Sequence, residues 1–130
     1  MFEENVRTNR REELINITPL VKNILSRSGM KKGACIVFVP HTTAGVTINE
    51  NADPDVPRDL LMGLSTIVPQ SLPFKHGEGN SDAHLKATLL GSSVNIPVED
   101  GRLVLGTWQG IFFCEFDGPR SRRVYIQLIS

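Results

Sequence analysis

Three histidines, His41, His76 and His84, are the only imidazoles in this 130-residue chain, and none lies on a plain apolar helix face. Neutral imidazole binds Zn, Cu, Fe, Ni or Co, and three protein ligands with an open fourth position is the arrangement of a catalytic zinc. His41 opens the run His41-Thr42-Thr43-Ala44-Gly45, directly after an apolar, β-branched stretch. His76 lies in a glycine-rich segment, and His84 follows eight residues later. Between them Glu78, Asn80 and Asp82 offer carboxylates and an amide that could orient the rings or ligate directly. The spacing is not the i, i+4 pair of a helical zinc site. A surface or hydrogen-bonded role for each ring therefore stays open beside the metal one.

Other groups could work with these rings. Thr42 and Thr43 could donate hydroxyls to a phosphate oxygen, although threonine is equally at home in a strand. Glu50 could serve as a general base if burial raised its pKa, or stand as an ordinary charge at a strand end. Trp108, the only tryptophan, could stack on a planar heterocycle, and Gln109 could read a ring edge by paired hydrogen bonds. A core or subunit-interface anchor is the plainer role for that indole. Arg120, Arg122 and Arg123 form a basic cluster whose planar forks suit phosphate, and equally suit an edge strand in water. Glu115 lies among Phe112, Phe113, Cys114 and Phe116, where a carboxylate requires a partner; Arg120 and Arg122 are the candidates.

The elements that must hold these residues are legible as periods and stops. Residues 14–17 read as a short strand. Thr18-Pro19 then supplies an N-cap and a proline at the first helical position, with Leu20, Ile24 and Leu25 at helical spacing and Gly29 as the stop. Residues 34–39 form a continuous apolar run, hence a buried strand ended by Pro40. Residues 44–49 read as the next strand. A second helix opens at 53–57 and carries Leu60, Leu61, Leu64 and Val68; Pro69 and Pro73 end it. A third helix spans about 81–90, with Gly91 as its stop. Strands at 94–98, 103–105, 109–116 and 123–129 complete the chain. Turns fall at Glu99-Asp100-Gly101 and Asp117-Gly118-Pro119-Arg120. Helices interleaved early with strands, followed by a run of strands, predict a single α+β domain over 1–130 with a mixed β-sheet and about three helices.

Composition bounds the function. Forty per cent of residues are apolar and 22% charged, ordinary globular values. Fourteen basic and 14 acidic residues cancel, which argues against nucleic acid or an anionic membrane as partner. It also leaves little repulsion between subunits. The N-terminus lacks the apolar core of a signal peptide, and no apolar run is long enough to span a bilayer. Cys35 and Cys114 sit singly inside apolar strands, as buried reduced thiols do. The expected location is cytoplasmic.

Three blocks carry a family resemblance. They are His41-Thr-Thr-Ala-Gly-Val-Thr-Ile-Asn-Glu50, the stretch from Asn80-Ser-Asp-Ala-His84 to Ser93, and Ser93-Val-Asn-Ile-Pro-Val-Glu-Asp-Gly101 continuing into Gly106-Thr-Trp-Gln-Gly-Ile111 and Glu115-Phe-Asp-Gly-Pro-Arg120. In order and spacing, over nearly the whole chain, they resemble the YjbQ-like (UPF0047) family. The resemblance implies a compact α+β subunit that forms a homotrimer. It implies a divalent metal, zinc being the expected ion, on His41, His76 and His84. It further implies that Glu50, Thr42 and Thr43 take part in catalysis and that Asn49, Asn80, Trp108, Gln109 and Arg120 bind a small phosphorylated molecule.

Members of that family are described as secondary thiamine-phosphate synthases. The implied reaction joins a thiazole phosphate to an aminopyrimidine methyl pyrophosphate and releases pyrophosphate. Two other readings stand beside it. One is a metal-dependent hydrolase of a small phosphorylated or ester substrate, with Glu50 as base. The other is a non-catalytic trimer that binds metal or a small molecule.

Overall fold

The apolar run near the C-terminus sets the layering. In the computed structural model, which describes residues 1–130, it forms β7 (Gln109–Glu115), and every residue from Gly110 to Phe116 is buried. A strand buried on both faces is the centre of something. Here β7 lies between β2 (Glu13–Asn16) and β4 (Ala44–Glu50) in a three-stranded sheet. Ile111 and Phe113 join one apolar cluster, while Phe112, Cys114 and Phe116 join another. Alternation along the strand thus serves two cores.

The larger core fills the space between this sheet and a five-stranded one of order β1-β8-β3-β5-β6. Its strands are β1 (Phe2–Arg7), β3 (Gly33–Phe38), β5 (Ser93–Glu99), β6 (Arg102–Leu103) and β8 (Ser121–Ile129). Helix α1 (Thr18–Ser28) seals this core with Val21, Ile24 and Leu25. The smaller core lies on the other face of β7 and is covered by α2 (Asp55–Ile67) and α3 (Ser81–Leu90). The three helices and the α+β class follow the expectation. No helix is long and apolar enough to cross a membrane.

The sheet is not mixed. All six strand pairings are antiparallel. The reason lies in the connections. Helix α1 leads from β2 in the small sheet to β3 in the large one, and α2 with α3 leads from β4 in the small sheet to β5 in the large one. A helical crossover makes parallel neighbours only when it returns to the same sheet; here each helical connection changes sheets.

Two local readings also change. Phe2–Arg7 is a strand, paired from Phe2↔Ile126 to Arg7↔Ser121. Thr18 does not cap its own helix. Its hydroxyl accepts the β7 amide of Ile111 at 2.8 Å, and Asn16 Oδ1 accepts the Thr18 amide at 3.1 Å. The helix start is thereby tied to β7, with Pro19 in its first turn.

Candidate functional site

One end of the molecule gathers the histidines. The connection from β3 to β4 carries Pro40, His41, Thr42 and Thr43. The loop before α3 carries His76, Glu78 and, directly ahead of the helix, Asn80, and the first turn of α3 carries His84. The β7–β8 turn adds Asp117 and Arg120, and β8 adds Arg122. These residues line a cleft of about 420 Å³ in which Pro40 is the one apolar side chain of the wall.

Close packing places each wall. A Cβ at Gly45 would stand 2.7 Å from the carbonyl oxygen of Gly91, so glycine lets the end of α3 lie directly on β4. The Val46 amide completes that approach by donating to Gly91 O at 3.1 Å. At the turn, a Cβ on Gly118 would stand 2.2 Å from Arg10 O. Asp117 and Arg120 are held against the β1–β2 connection because position 118 has no side chain.

Below the cleft lies a buried ion pair. Arg122 Nε donates to Glu115 Oε1 at 2.9 Å, and Thr8 Oγ1 donates to the same oxygen at 2.7 Å. The Phe116 and Asp117 amides donate to Oε2 at 3.1 and 3.2 Å. Arg122 Nη2 also reaches Thr43 Oγ1 at 2.8 Å, which leaves the Thr43 hydroxyl proton free for another acceptor. Arg122 is therefore the partner that Glu115 requires. Arg120 is held differently, by Nε to the Asp117 carbonyl at 2.7 Å and Nη2 to the Asp117 carboxylate at 3.0 Å. Its Nη1 makes no hydrogen bond within the chain.

The wall of the cleft contains one unsatisfied atom. Asn80 is 92% buried, given its 8% exposure. Its Nδ2 donates to Asp117 Oδ2 at 2.8 Å, which fixes the amide's orientation because a carboxylate only accepts. Its Oδ1 has no partner. A buried acceptor left unmade costs about 1–3 kcal/mol, which a donor reaching the wall, an ordered water or a ligand group, would recover.

The imidazoles share the cleft but do not converge on one point. His76 and His84 stand edge to face with centroids 5.4 Å apart. His41 Nε2 accepts the Arg123 amide at 2.9 Å. Burial lowers the pKa of His41, and the charges of Arg122 and Arg123 lower it further, so the neutral ring is favoured. With Nε2 accepting, its proton resides on Nδ1, and this tautomer has no lone pair left for a metal. Nowhere do three imidazole, carboxylate or thiol groups come close enough to hold one ion together. The donor types fit a divalent ion; assembling them requires His41 to release the Arg123 amide.

Seven of the expected site residues thus meet in the cleft: His41, Thr42, Thr43, His76, Asn80, His84 and Arg120. Four do not. Asn49, Glu50, Trp108 and Gln109 lie at the opposite end of β4 and β7, where Glu50 pairs with Gln109. Glu50 stands six positions along β4 from Ala44, about 20 Å at ~3.3 Å per residue. Gln109 Oε1 accepts the Gly106 amide at 2.8 Å, and Trp108 is 63% exposed rather than a core anchor. Glu50 therefore cannot be the base for these histidines within one chain. Sequence reasoning missed Asp117, which it read only as a turn residue. The signal was present: a carboxylate three residues before Arg120, directly after a buried strand.

Comparison with known proteins agrees with this architecture. The family model described as UPF0047 protein YjbQ-like matches residues 3–130. The chain belongs to the UPF0047 YjbQ-like family. A UPF0047 protein of Methanocaldococcus jannaschii is 53% identical over 130 residues, covering 100% of this chain and 94% of that protein. The UPF0047 protein YugU of Bacillus subtilis is 50% identical over 126 residues, covering 96% of each. A crystal structure of a YjbQ/UPF0047 protein from Clostridium acetobutylicum superposes with a TM-score of 0.98 at 53% identity, covering 99% of this chain and 100% of that one. The UPF0047 fold is therefore shared over the whole chain.

Proposed function

We propose that this UPF0047 chain is an enzyme whose histidine cleft binds a small phosphorylated molecule and transfers a group from it, as in thiamine-phosphate synthesis. The observation that carries the reading is a cleft lined almost wholly by polar and charged side chains, with Asn80 Oδ1 paired to no group of the chain. A cleft with three histidines, two arginines and two carboxylates in its wall is suited to a charged ligand that also brings a hydrogen-bond donor.

The chemistry would run as follows. A thiazole nitrogen attacks the methylene carbon of the pyrimidine partner; an N–C bond forms, the C–O bond breaks, and its electron pair leaves on pyrophosphate. The attacking lone pair needs no general base, which suits a cleft that lacks Glu50. The leaving group needs its charge stabilised. Arg120 Nη1 and the hydroxyl protons of Thr42 and Thr43 are the donors available for that. Asn80 Oδ1 would accept from an amino group and orient the ring that bears it.

The charges lining the cleft cancel, since Arg120 and Arg122 face Glu78 and Asp117. A divalent ion on His76, His84 and a reoriented His41 would add the missing positive charge and neutralise the pyrophosphate. The hydrolytic alternative loses Glu50, its intended base. The chain is further proposed to act as a homotrimer in the cytoplasm. Burial pushes the Cys35 thiol up to about 11 and Cys114 to about 12, which keeps both protonated and inert as that compartment permits.

The test is to incubate the purified protein with the thiazole phosphate, the aminopyrimidine methyl pyrophosphate and a divalent ion, and to follow thiamine phosphate by mass. Product is expected from the parent. Product is expected to be lost in His84→Ala and cut at least tenfold in Asn80→Ala, roughly the effect of one lost hydrogen bond to a polar ligand. Undiminished turnover in His84→Ala, or none in the parent, overturns the proposal.

A further inference from the structure

A second cavity adjoins the histidine cleft. It measures about 300 Å³ and shares His41, Thr42 and His84 with its neighbour, so the two imidazoles form the wall between them. Its chemistry is different. Apart from those imidazoles it contains no ionisable group. Ala44 and Ala87 supply a floor of methyl groups, and Thr88 and Ser92 supply hydroxyls at the rim. On α3, His84, Ala87 and Thr88 stand at i, i+3 and i+4, one face of the helix. Thr88 Oγ1 donates to His84 O at 2.9 Å, which leaves its lone pairs for a ligand. Small residues at 44 and 87 leave the volume open.

We infer that this cavity is the subsite for the uncharged half of the ligand, a small flat body with polar edges. The inference rests on the anion cleft proposed above. A ligand spanning both cavities sets its phosphate against Arg120 and its neutral body on Ala44 and Ala87. The bond between the halves then lies at the wall formed by His41 and His84. Each cavity already lies within the volume usual for small-molecule sites, about 300–1,000 Å³, and the charge boundary between them fixes which way round the ligand enters.

The experiment is calorimetric titration of the 130-residue chain with inorganic phosphate, methyl phosphate and phenyl phosphate, the divalent ion of the assay above being present throughout. The parent is compared with Ser92→Leu and Thr88→Leu. Both positions are exposed, and neither side chain lines the charged cleft. Phenyl phosphate is expected to bind the parent about tenfold more tightly than methyl phosphate, from the apolar surface it buries. Both variants are expected to lose that advantage and to bind inorganic phosphate as the parent does. Equal affinity for the two esters in the parent overturns the subsite and leaves the anion cleft standing. The same holds if both variants keep the full phenyl advantage, or weaken all three ligands equally. Failure of the parent to bind inorganic phosphate overturns the anion cleft, and the subsite with it.

Discussion

At the residue scale, Glu115 decides how the cleft tolerates acid. Burial pushes its carboxyl up, but hydrogen bonds from Arg122, Thr8 and the Asp117 amide, with the charge of Arg122, bring it below its ordinary value. Asp82 and Asp117 move the same way: burial raises each, and their arginine and amide partners outweigh it. A carboxylate that binds its proton less readily when folded contributes stability above its unfolded pKa, and loses it as pH falls through the native value. The urea midpoint is therefore expected to be flat from neutral pH down to about 5 and to fall below about 4, where unfolded carboxylates take up protons. Glu115→Gln should flatten that fall. It should also cost about 3–5 kcal/mol at neutral pH, because Arg122 is left buried without its counter-charge. A midpoint insensitive to pH between 5 and 3, or a cost below about 1 kcal/mol, would contradict this account of the pair.

At the element scale, the placement of His84 depends on how α3 is held. Lys86 is fully buried in that helix, with Nζ between Glu12 Oε2 at 2.5 Å and Asp82 Oδ2 at 3.5 Å, and within 3.3 Å of Ser65 Oγ. Arg11 grips the same Asp82 with both Nη atoms, at 3.2 and 3.1 Å. One network thus ties the β1–β2 connection to α2 and to the first turn of α3. Lys86→Met keeps the volume and removes the charge, leaving Glu12 facing Asp82. The expected loss is about 3 kcal/mol or more in urea unfolding. Phosphate affinity should fall too, as the turn bearing Asn80 and His84 loosens. Unchanged stability would show that the network is dispensable.

None of this network was legible in the sequence, where Lys86 reads as an ordinary polar helix position. Helix α3 itself, between Ser81 and Gly91, was legible from its stops. So was the pairing of Glu115 with an arginine, since an apolar strand cannot keep a bare carboxylate. Strand β1 was not. Phe2 and Val6 are its only apolar residues before Arg7, and an edge strand buried on alternate positions can carry charge at the others. The cleft was half legible. Histidines from three separate segments invited grouping. Glu50 and Trp108 were placed with them only because strand direction, which sends β4 away from the site, has no local signature.

At the scale of the whole molecule, the outer layer is unfinished. Helix α2 has no fully buried residue. Leu61 and Leu64 turn toward the small core, whereas Met62 is 65% and Ile67 72% exposed. Trp108 and Val104 are likewise exposed on the connection between β6 and β7. Large apolar side chains left in water on a chain of zero formal net charge favour association, because apolar area is available to bury and little repulsion opposes it. Light scattering of the purified protein is expected to give three times the 14.4 kDa chain mass. Replacing Met62 and Ile67 together by lysine places two charges per chain on the exposed face of α2 while leaving Leu61 and Leu64 in the core. If that face joins the subunits, the double variant runs as a folded monomer, with its helical circular dichroism intact and a lower melting temperature, since a subunit that binds only the native state stabilises it by mass action. If the variant keeps three chains, the contact is made elsewhere, and the exposed end carrying Trp108, Gln109 and Glu50 becomes the surface to test. A parent that scatters as a monomer or dimer removes the trimer altogether.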